Sequence, residues 1–399
     1  VSSIRKNYKD VKKVLHKHDL TSFFNLSKYG FSPYRACEHG CLYCDGRAEK
    51  YYVEGEFDKD IIIRRNLPEI LDLELSKIRE KGFVCIGSGV SDPYQPVEED
   101  ELIMRKCAEI LHKHSVPVVV MTKSALVLRD LDIWGEINRK SGFLLMMSCT
   151  WNNDEMRKKI EPHASSVEER ISALTDFKDS GCFTGVLAMP FLPLISETEE
   201  NMFQIAKMCK DSKVDFMMPG GLTLRPGVQK DIFFKHLTSH YPEYVSTYEK
   251  IYGENRQSGA PSAFWYDKMS FLYTKMSELS GVSSVIPHYI YRNKVAIFDE
   301  IFLILTTMKI IYDFKGITTS RLSKAISKYS EWIITEKKAI NRSKKRRYEE
   351  LDQLLMYMCQ KNSMDTIIQN EKVSELIKKV VVERAVFNGV TGRLHQIAD

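Results

Sequence analysis

Short apolar runs at residues 83–87, 117–122, 143–148, 184–189 and 216–218 recur roughly 30 residues apart, and this spacing limits the fold more than any other feature of the chain. The intervening stretches carry apolar residues at helical spacing. In 58–81, for example, these are Ile62, Leu67, Ile70, Leu71, Leu75 and Ile78. The other predicted helices cover 100–114, 125–140, 167–180 and 199–210. A strand followed by a helix at this period is the βα unit, so the sheet is expected to be parallel, and an open sheet and a barrel both satisfy the pattern. Ligand chemistry in such folds gathers where strands end, which singles out the loops beginning at Gly87, Thr122, Ser148 and Met189.

An earlier strand, ending near Ser32-Pro33-Tyr34, leads into the loop Cys37-Glu38-His39-Gly40-Cys41-Leu42-Tyr43-Cys44. A structural zinc ion and a ferredoxin-type cluster each want four protein ligands, and no fourth cysteine comes before Cys85. Three thiolates on a four-iron cluster leave one iron open to a small chelating molecule. The competing reading is a zinc loop that recruits His39 as fourth ligand.

With 399 residues the chain is long enough for one large domain and an appendage, and its 43% hydrophobic and 28% charged content is that of an ordinary globular protein. Its net charge of +5 permits a polyanionic partner without demanding one. Nine cysteines are too sparse for a disulfide scaffold, and an iron–sulfur cluster needs a reducing setting, so a cytoplasmic location is expected. The start Val1-Ser2-Ser3-Ile4-Arg5-Lys6 has no signal-peptide pattern, and the longest apolar runs fall short of the roughly 18 residues of a membrane span. No membrane partner is expected.

Residues 1–30 read as an N-terminal cover, with a helix through 8–16. The core is placed at 31–253, a linker and helix at 254–283, and an all-helical region at 284–399. That last region contains a basic run from Lys337 to Arg347, Lys337-Lys338 and Arg342-Ser343-Lys344-Lys345-Arg346-Arg347, either a phosphate-binding element or a solvated face.

From about Ser32 to Tyr252 the sequence resembles the radical S-adenosylmethionine superfamily, and within it the spore photoproduct lyase family, especially its lyase-like branch. The resemblance rests on the cysteine loop, Ser91-Asp92-Pro93-Tyr94-Gln95-Pro96, Thr122-Lys123-Ser124 with Arg129-Asp130, and Glu161-Pro162 with Arg170, in that order. It implies a partial (β/α)6 TIM-like barrel, followed here by the helical extension. It also implies a [4Fe-4S] cluster on Cys37, Cys41 and Cys44, and S-adenosyl-L-methionine contacted at Lys123, Ser148 and Ser91. Tyr43, Gly87, Gly89 and Glu161 complete the expected cofactor-binding set. A lysine at a strand end suits a carboxylate, and glycines let backbone approach a ligand closely. Other readings stay open: a solvated lysine at Lys123, turn hydrogen bonds at Ser91 and Ser148, a Glu161–Arg170 salt bridge instead of a ribose contact, and packing instead of a pocket at Tyr94.

Two departures from the family pattern stand out. Lyases of this family carry a hydrogen-donating cysteine where this chain has Gly89, and a tyrosine where it has Asp45. Cys85 is the nearest substitute donor in sequence. The resemblance implies an enzyme that cleaves S-adenosylmethionine to a 5'-deoxyadenosyl radical, takes hydrogen from an unidentified substrate, nucleic acid among the classes open, and draws electrons from a donor such as a flavodoxin or ferredoxin. The alternative is a non-catalytic metal-binding, nucleic-acid-binding protein built on a zinc loop.

Overall fold

The structure is a computed structural model in which residues 4–87, 89–343 and 345–396 are described, so Ser88, Lys344 and the start Val1-Ser2-Ser3 lie outside the described residues. In chain order the strands are β1 (Arg5–Lys9), β2 (His16–Lys17), β3 (Ser27–Phe31), β4 (Tyr34–Arg35), β5 (Asp60–Arg64), β6 (Phe83–Ile86), β7 (Val118–Thr122), β8 (Phe143–Ser148), β9 (Phe183–Phe191), β10 (Phe216–Gly221), β11 (Val386–Asn388) and β12 (Arg393–His395). Seven of them form one sheet in the order β10-β9-β8-β7-β6-β3-β2, which stays open at both edges, as a partial barrel does. The pairs β7–β8, β8–β9 and β9–β10 are parallel, and the two-residue β2 runs antiparallel to β3.

The predicted βα alternation is present from β6 onward. Helices Ile103–Lys113, Leu131–Lys140, Val167–Asp179 and Glu199–Asp211 link or follow the parallel strands. Most residues of β7 and β8 are fully buried, as expected of strands covered on both faces. Ser166 caps its helix through a capping box with Glu169, and Thr198 caps the next through the Asn201 N–H.

Three local expectations are corrected. The stretch 58–81 is not one helix: Ile61, Ile62 and Ile63 lie in β5, and the helix is confined to Leu67–Leu75. Three consecutive β-branched residues favour a strand, and β5 finds partners on both sides, β1 parallel and β4 antiparallel. The helix expected through 8–16 is likewise absent, because Arg5–Lys9 is the strand that pairs with β5. The region 284–399 is helical except for the hairpin β11–β12, where a turn at Gly392, with φ +71°, reverses the chain.

By packing the chain divides into two units. The first comprises 1–15, 31–76 and 86–282; the second comprises 16–30, 77–85 and 283–399. The second unit has its own apolar core, with Phe298, Ile304, Leu305, Tyr329, Ile333, Leu355 and Ile377 fully buried. Among the described residues no helix is long and apolar enough to cross a membrane.

Candidate iron–sulfur and cofactor site

The cysteine loop belongs to the first unit, and several elements of that unit fix its shape. Ala36 and Gly40 take positive φ, +67° and +64°, which folds Cys37, Cys41 and Cys44 into one compact turn. The Cys37 N–H donates to the Phe57 carbonyl (3.0 Å) and the Leu42 N–H to the Ile160 carbonyl (3.0 Å). Arg47, almost wholly buried, donates through Nε to the Cys41 carbonyl (3.0 Å) and through Nη2 to that of Gly40 (2.9 Å), while pairing with Asp58 at 3.1 Å. From the opposite flank the Gln95 side chain accepts from the Glu38 N–H (2.9 Å) and donates to the Ala36 carbonyl (3.2 Å). The loop is therefore held rigidly without any disulfide; all three cysteines are free.

Burial pushes the thiols up: Cys37 well above its ordinary value, Cys41 to about 12, and Cys44 also upward. Cys37, Cys41 and Cys44 would be held as thiolates only with a positively charged group bound to them, which would offset the burial. Three thiols in one loop with no fourth cysteine beside them suit a four-iron cluster, which takes one thiolate on each of three irons. The zinc reading needs His39 to turn toward the thiols. His39, its proposed fourth ligand, is instead buried with Nδ1 3.5 Å from Asp92 Oδ2, and burial lowers its pKa to about 4.

Beside the loop, the Tyr43 hydroxyl donates to Glu161 Oε1, and Arg170 Nη2 pairs with Glu161 Oε2 at 2.5 Å. Burial opposes the charge on Glu161, but Arg170 and Lys123 more than offset it and hold the carboxyl at about 2. Arg170 also donates to the Ser148 carbonyl (2.8 Å), tying the end of β8 to this pair. Glu161 thus has both oxygens engaged, one by Tyr43 and one by Arg170.

Lys123 is different. Among the described residues its Nζ has no carboxylate within ion-pair distance, and it lies 5.9 Å from the centre of the Tyr43 ring. Burial weakens its charge, yet Cys41 and Glu161 raise its pKa on balance, so it remains an ammonium.

The remaining predicted residues take unequal roles. The Ser91 hydroxyl accepts from Gln95 Nε2 (3.1 Å), and the Ser148 side chain is half-buried at the end of β8. Gly87, with φ +112°, lies so close to β7 that a Cβ would meet the Met121 carbonyl at 2.6 Å; the glycine serves backbone packing. A Cβ at Gly89 would meet nothing within 4 Å, while its carbonyl is 3.7 Å from the Cys44 sulfur, so this position faces open space beside the loop. Cys85 is buried in β6 and burial pushes it to about 12. Tyr94 is core, not pocket: its hydroxyl donates to Asp130 (2.9 Å) and accepts from Trp134 Nε1 (2.8 Å).

Sequence reasoning passed over the residue that connects the loops. Asp92 accepts from the Thr122 hydroxyl (2.6 Å) and the Tyr94 N–H (2.9 Å) with Oδ1, and from the Lys123 N–H (2.8 Å) with Oδ2. The signal was present, since Asp two residues before a backbone donor is the Asx turn. For Glu197 no sequence signal exists. It follows β9, accepts from Trp265 Nε1 (2.9 Å) and the Tyr273 hydroxyl (2.8 Å), and is pushed up to about 7 by burial. A cleft of about 430 Å³ borders the residues after the loop, lined in part by Gly46, Arg47, Phe57 and Ile232; Ser91, Lys123 and Ser148 do not line it.

The chain is 30% identical over 176 residues to an uncharacterised protein of Methanocaldococcus jannaschii, covering 43% of this chain and 64% of that one. An uncharacterised protein of Mycobacterium tuberculosis is 25% identical over 230 residues, covering 56% of this chain and 67% of the relative. Each match thus spans about two thirds of the relative's length. Among solved structures, spore photoproduct lyase complexed with dinucleoside spore photoproduct aligns at 15% identity with a TM-score of 0.49, over 64% of this chain and 76% of that one. Streptococcus suis SuiB bound to S-adenosylmethionine aligns at 13% identity and 0.37, over 57% and 49%. Residues 31–209, which contain the cysteine loop, Lys123, Ser148 and Glu161, match the model of the Radical SAM superfamily.

Proposed function

We propose that the protein is a radical S-adenosylmethionine enzyme of the lyase-like branch, acting on a substrate other than the spore thymine dimer. The observation that carries this reading is the Lys123 ammonium, without a carboxylate in ion-pair distance among the described residues, beside a rigid loop of three free thiols. Cys37, Cys41 and Cys44 would hold a [4Fe-4S] cluster, and Lys123, with Ser91 and Ser148 at neighbouring strand ends, would hold S-adenosylmethionine. When bound and reduced, that pair of groups supplies a 5'-deoxyadenosyl radical. The chain's own contribution is positional. Arg47 and Gln95 fix the loop, the Tyr43–Glu161–Arg170 set fixes its last turn against β8, and Lys123 offers the charge that suits the carboxylate of a methionine moiety. Gly89 offers no thiol where a lyase needs one, and this disfavours chemistry that ends in thiol donation at that position. Electrons would come from a small redox protein such as a flavodoxin or ferredoxin.

The test is anaerobic cluster reconstitution, reduction with dithionite and quantification of 5'-deoxyadenosine and methionine formed from S-adenosylmethionine. The wild type should form both and Cys41→Ala neither. A fully loaded wild-type cluster that forms no 5'-deoxyadenosine, with or without candidate nucleic acid, overturns the proposal.

A further inference from the structure

The two units differ sharply in charge. The second holds 25 lysines and arginines against 15 aspartates and glutamates, a net +10, whereas the first is net −5 and the whole chain +5. Within the second unit, segments distant in sequence bring positive charge to one residue, Tyr348. Lys17 Nζ lies 5.0 Å and the Arg79 guanidinium 5.6 Å from the centre of its ring. Its hydroxyl donates to Asn341 Oδ1 (2.5 Å), and Arg79 Nη2 donates to the Arg346 carbonyl (2.7 Å). The turn that joins helix Ser320–Arg342 to helix Glu349–Gln360 is thereby braced from one side, and Lys345 and Arg347 within it are exposed.

The acids nearby neutralise only part of this charge. Glu350 takes Arg346 at 3.0 Å, Glu336 lies 3.9 Å from the same guanidinium, and Glu80 takes Lys17 at 2.6 Å. Arg342, Lys345 and Arg347 are exposed and, among the described residues, have no carboxylate within ion-pair distance. No large apolar side chain is exposed between 341 and 349, although a helix lying on a membrane surface would need one. Guanidinium groups on a braced turn match the paired oxygens of phosphodiesters.

We propose that this face of the second unit, formed by Arg342, Lys345 and Arg347 with Lys17 and Arg79 at its edge, binds the phosphate backbone of nucleic acid without reading its sequence. It is independent of the cluster chemistry, since every residue in it belongs to the second unit.

Binding of the full-length protein to fluorescently labelled duplex and single-stranded DNA, and to RNA, is measured by anisotropy across a potassium chloride series. The wild type should bind with an affinity that falls steeply with salt and varies little with sequence. The variant R342Q/K345Q/R347Q should bind about tenfold or more weakly, with a salt slope shallower by about 2 to 3, as removal of three phosphate contacts demands. The substitution K207Q/K210Q/K235Q, on exposed lysines of the first unit, should leave both unchanged. Equal weakening by the two variants, no binding by the wild type, or binding to phosphatidylserine vesicles in place of oligonucleotides would each overturn the proposal. Arg347→Glu alone should weaken binding by several-fold, which guards against a folding defect in the triple variant.

Discussion

Each unit buries a cluster of charges, and the two clusters are built to opposite ends. In the second unit Lys28 pairs with Glu80 at 2.6 Å and Asp299 at 3.1 Å, and Lys337 pairs with the same Glu80 at 3.0 Å. Both ammonium groups also donate to the Asp19 carbonyl, at 2.9 and 2.6 Å. Two buried cations face two buried carboxylates, the partly exposed Lys17 adds a third cation on Glu80, and Glu80 is held at about 2 because Lys28 and Lys337, with Lys17, outweigh its burial. That cluster is closed. In the first unit Arg170 and Glu161 pair directly, whereas Lys123, among the described residues, has no carboxylate within ion-pair distance and is acted on by Glu161 and Asp92 only from farther away. The closed cluster joins segments of chain; the open one leaves an ammonium without a direct partner among the described residues.

The largest expected effect tests the closed cluster. Lys28→Met leaves Glu80 and Asp299 short of a cation and should cost about 3 to 5 kcal/mol, seen as a lower unfolding transition in calorimetry of the full chain. A cost below about 1 kcal/mol would show that the pairing does not hold the second unit together.

Glu197 gives the next contrast, because its pKa moves in the direction opposite to that of Glu80. A carboxyl raised to about 7 in the folded state stabilises fully below its unfolded value of 4.5 and loses that contribution as pH rises through 7. Wild-type stability should therefore fall by up to about 3 kcal/mol over that window relative to Glu197→Gln, and parallel pH profiles for the two proteins would remove the effect. Glu80 behaves conversely: its contribution is present above 4.5 and lost as pH falls through 2.

Lys123→Met tests the open cluster. It should weaken S-adenosylmethionine binding by about tenfold, equivalent to about 1.4 kcal/mol, while changing stability by less than about 1 kcal/mol. A stability loss as large as that of Lys28→Met, with affinity unchanged, would make Lys123 a structural residue. The smallest effect is expected of Gly89→Cys. Its Cβ meets nothing within 4 Å, so stability should stay within about 0.5 kcal/mol, and a crystal structure should show the thiol facing the space beside Cys44.

Much of the scaffold was legible because local signals and burial agree. The run Phe143–Ser148 is apolar, bounded by Gly142 and a polar loop, and forms β8 with those limits. The start of 58–81 differs because Ile62 leads into the apolar series of Leu67, Ile70 and Leu71, whereas pairing with β1 and β4 decides for a strand over Ile61-Ile62-Ile63. Arg5–Lys9 shows the same limit more strongly: all five residues are exposed, so no hydrophobic period marks it, and its backbone partner lies 55 residues away.

The sequence by itself determined which atoms can ligate a cluster, since the number and spacing of thiols in one loop are covalent facts. It also determined the succession of strands and helices, because both follow from local periodicity. Tertiary structure alone decided which charges are spent. Glu161 is engaged, Lys123 has no carboxylate within ion-pair distance among the described residues, His39 is turned to Asp92, and Lys17 and Arg79 gather at Tyr348. Pairing between charges far apart in sequence depends on distances that only the packed chain sets, and no local pattern encodes them.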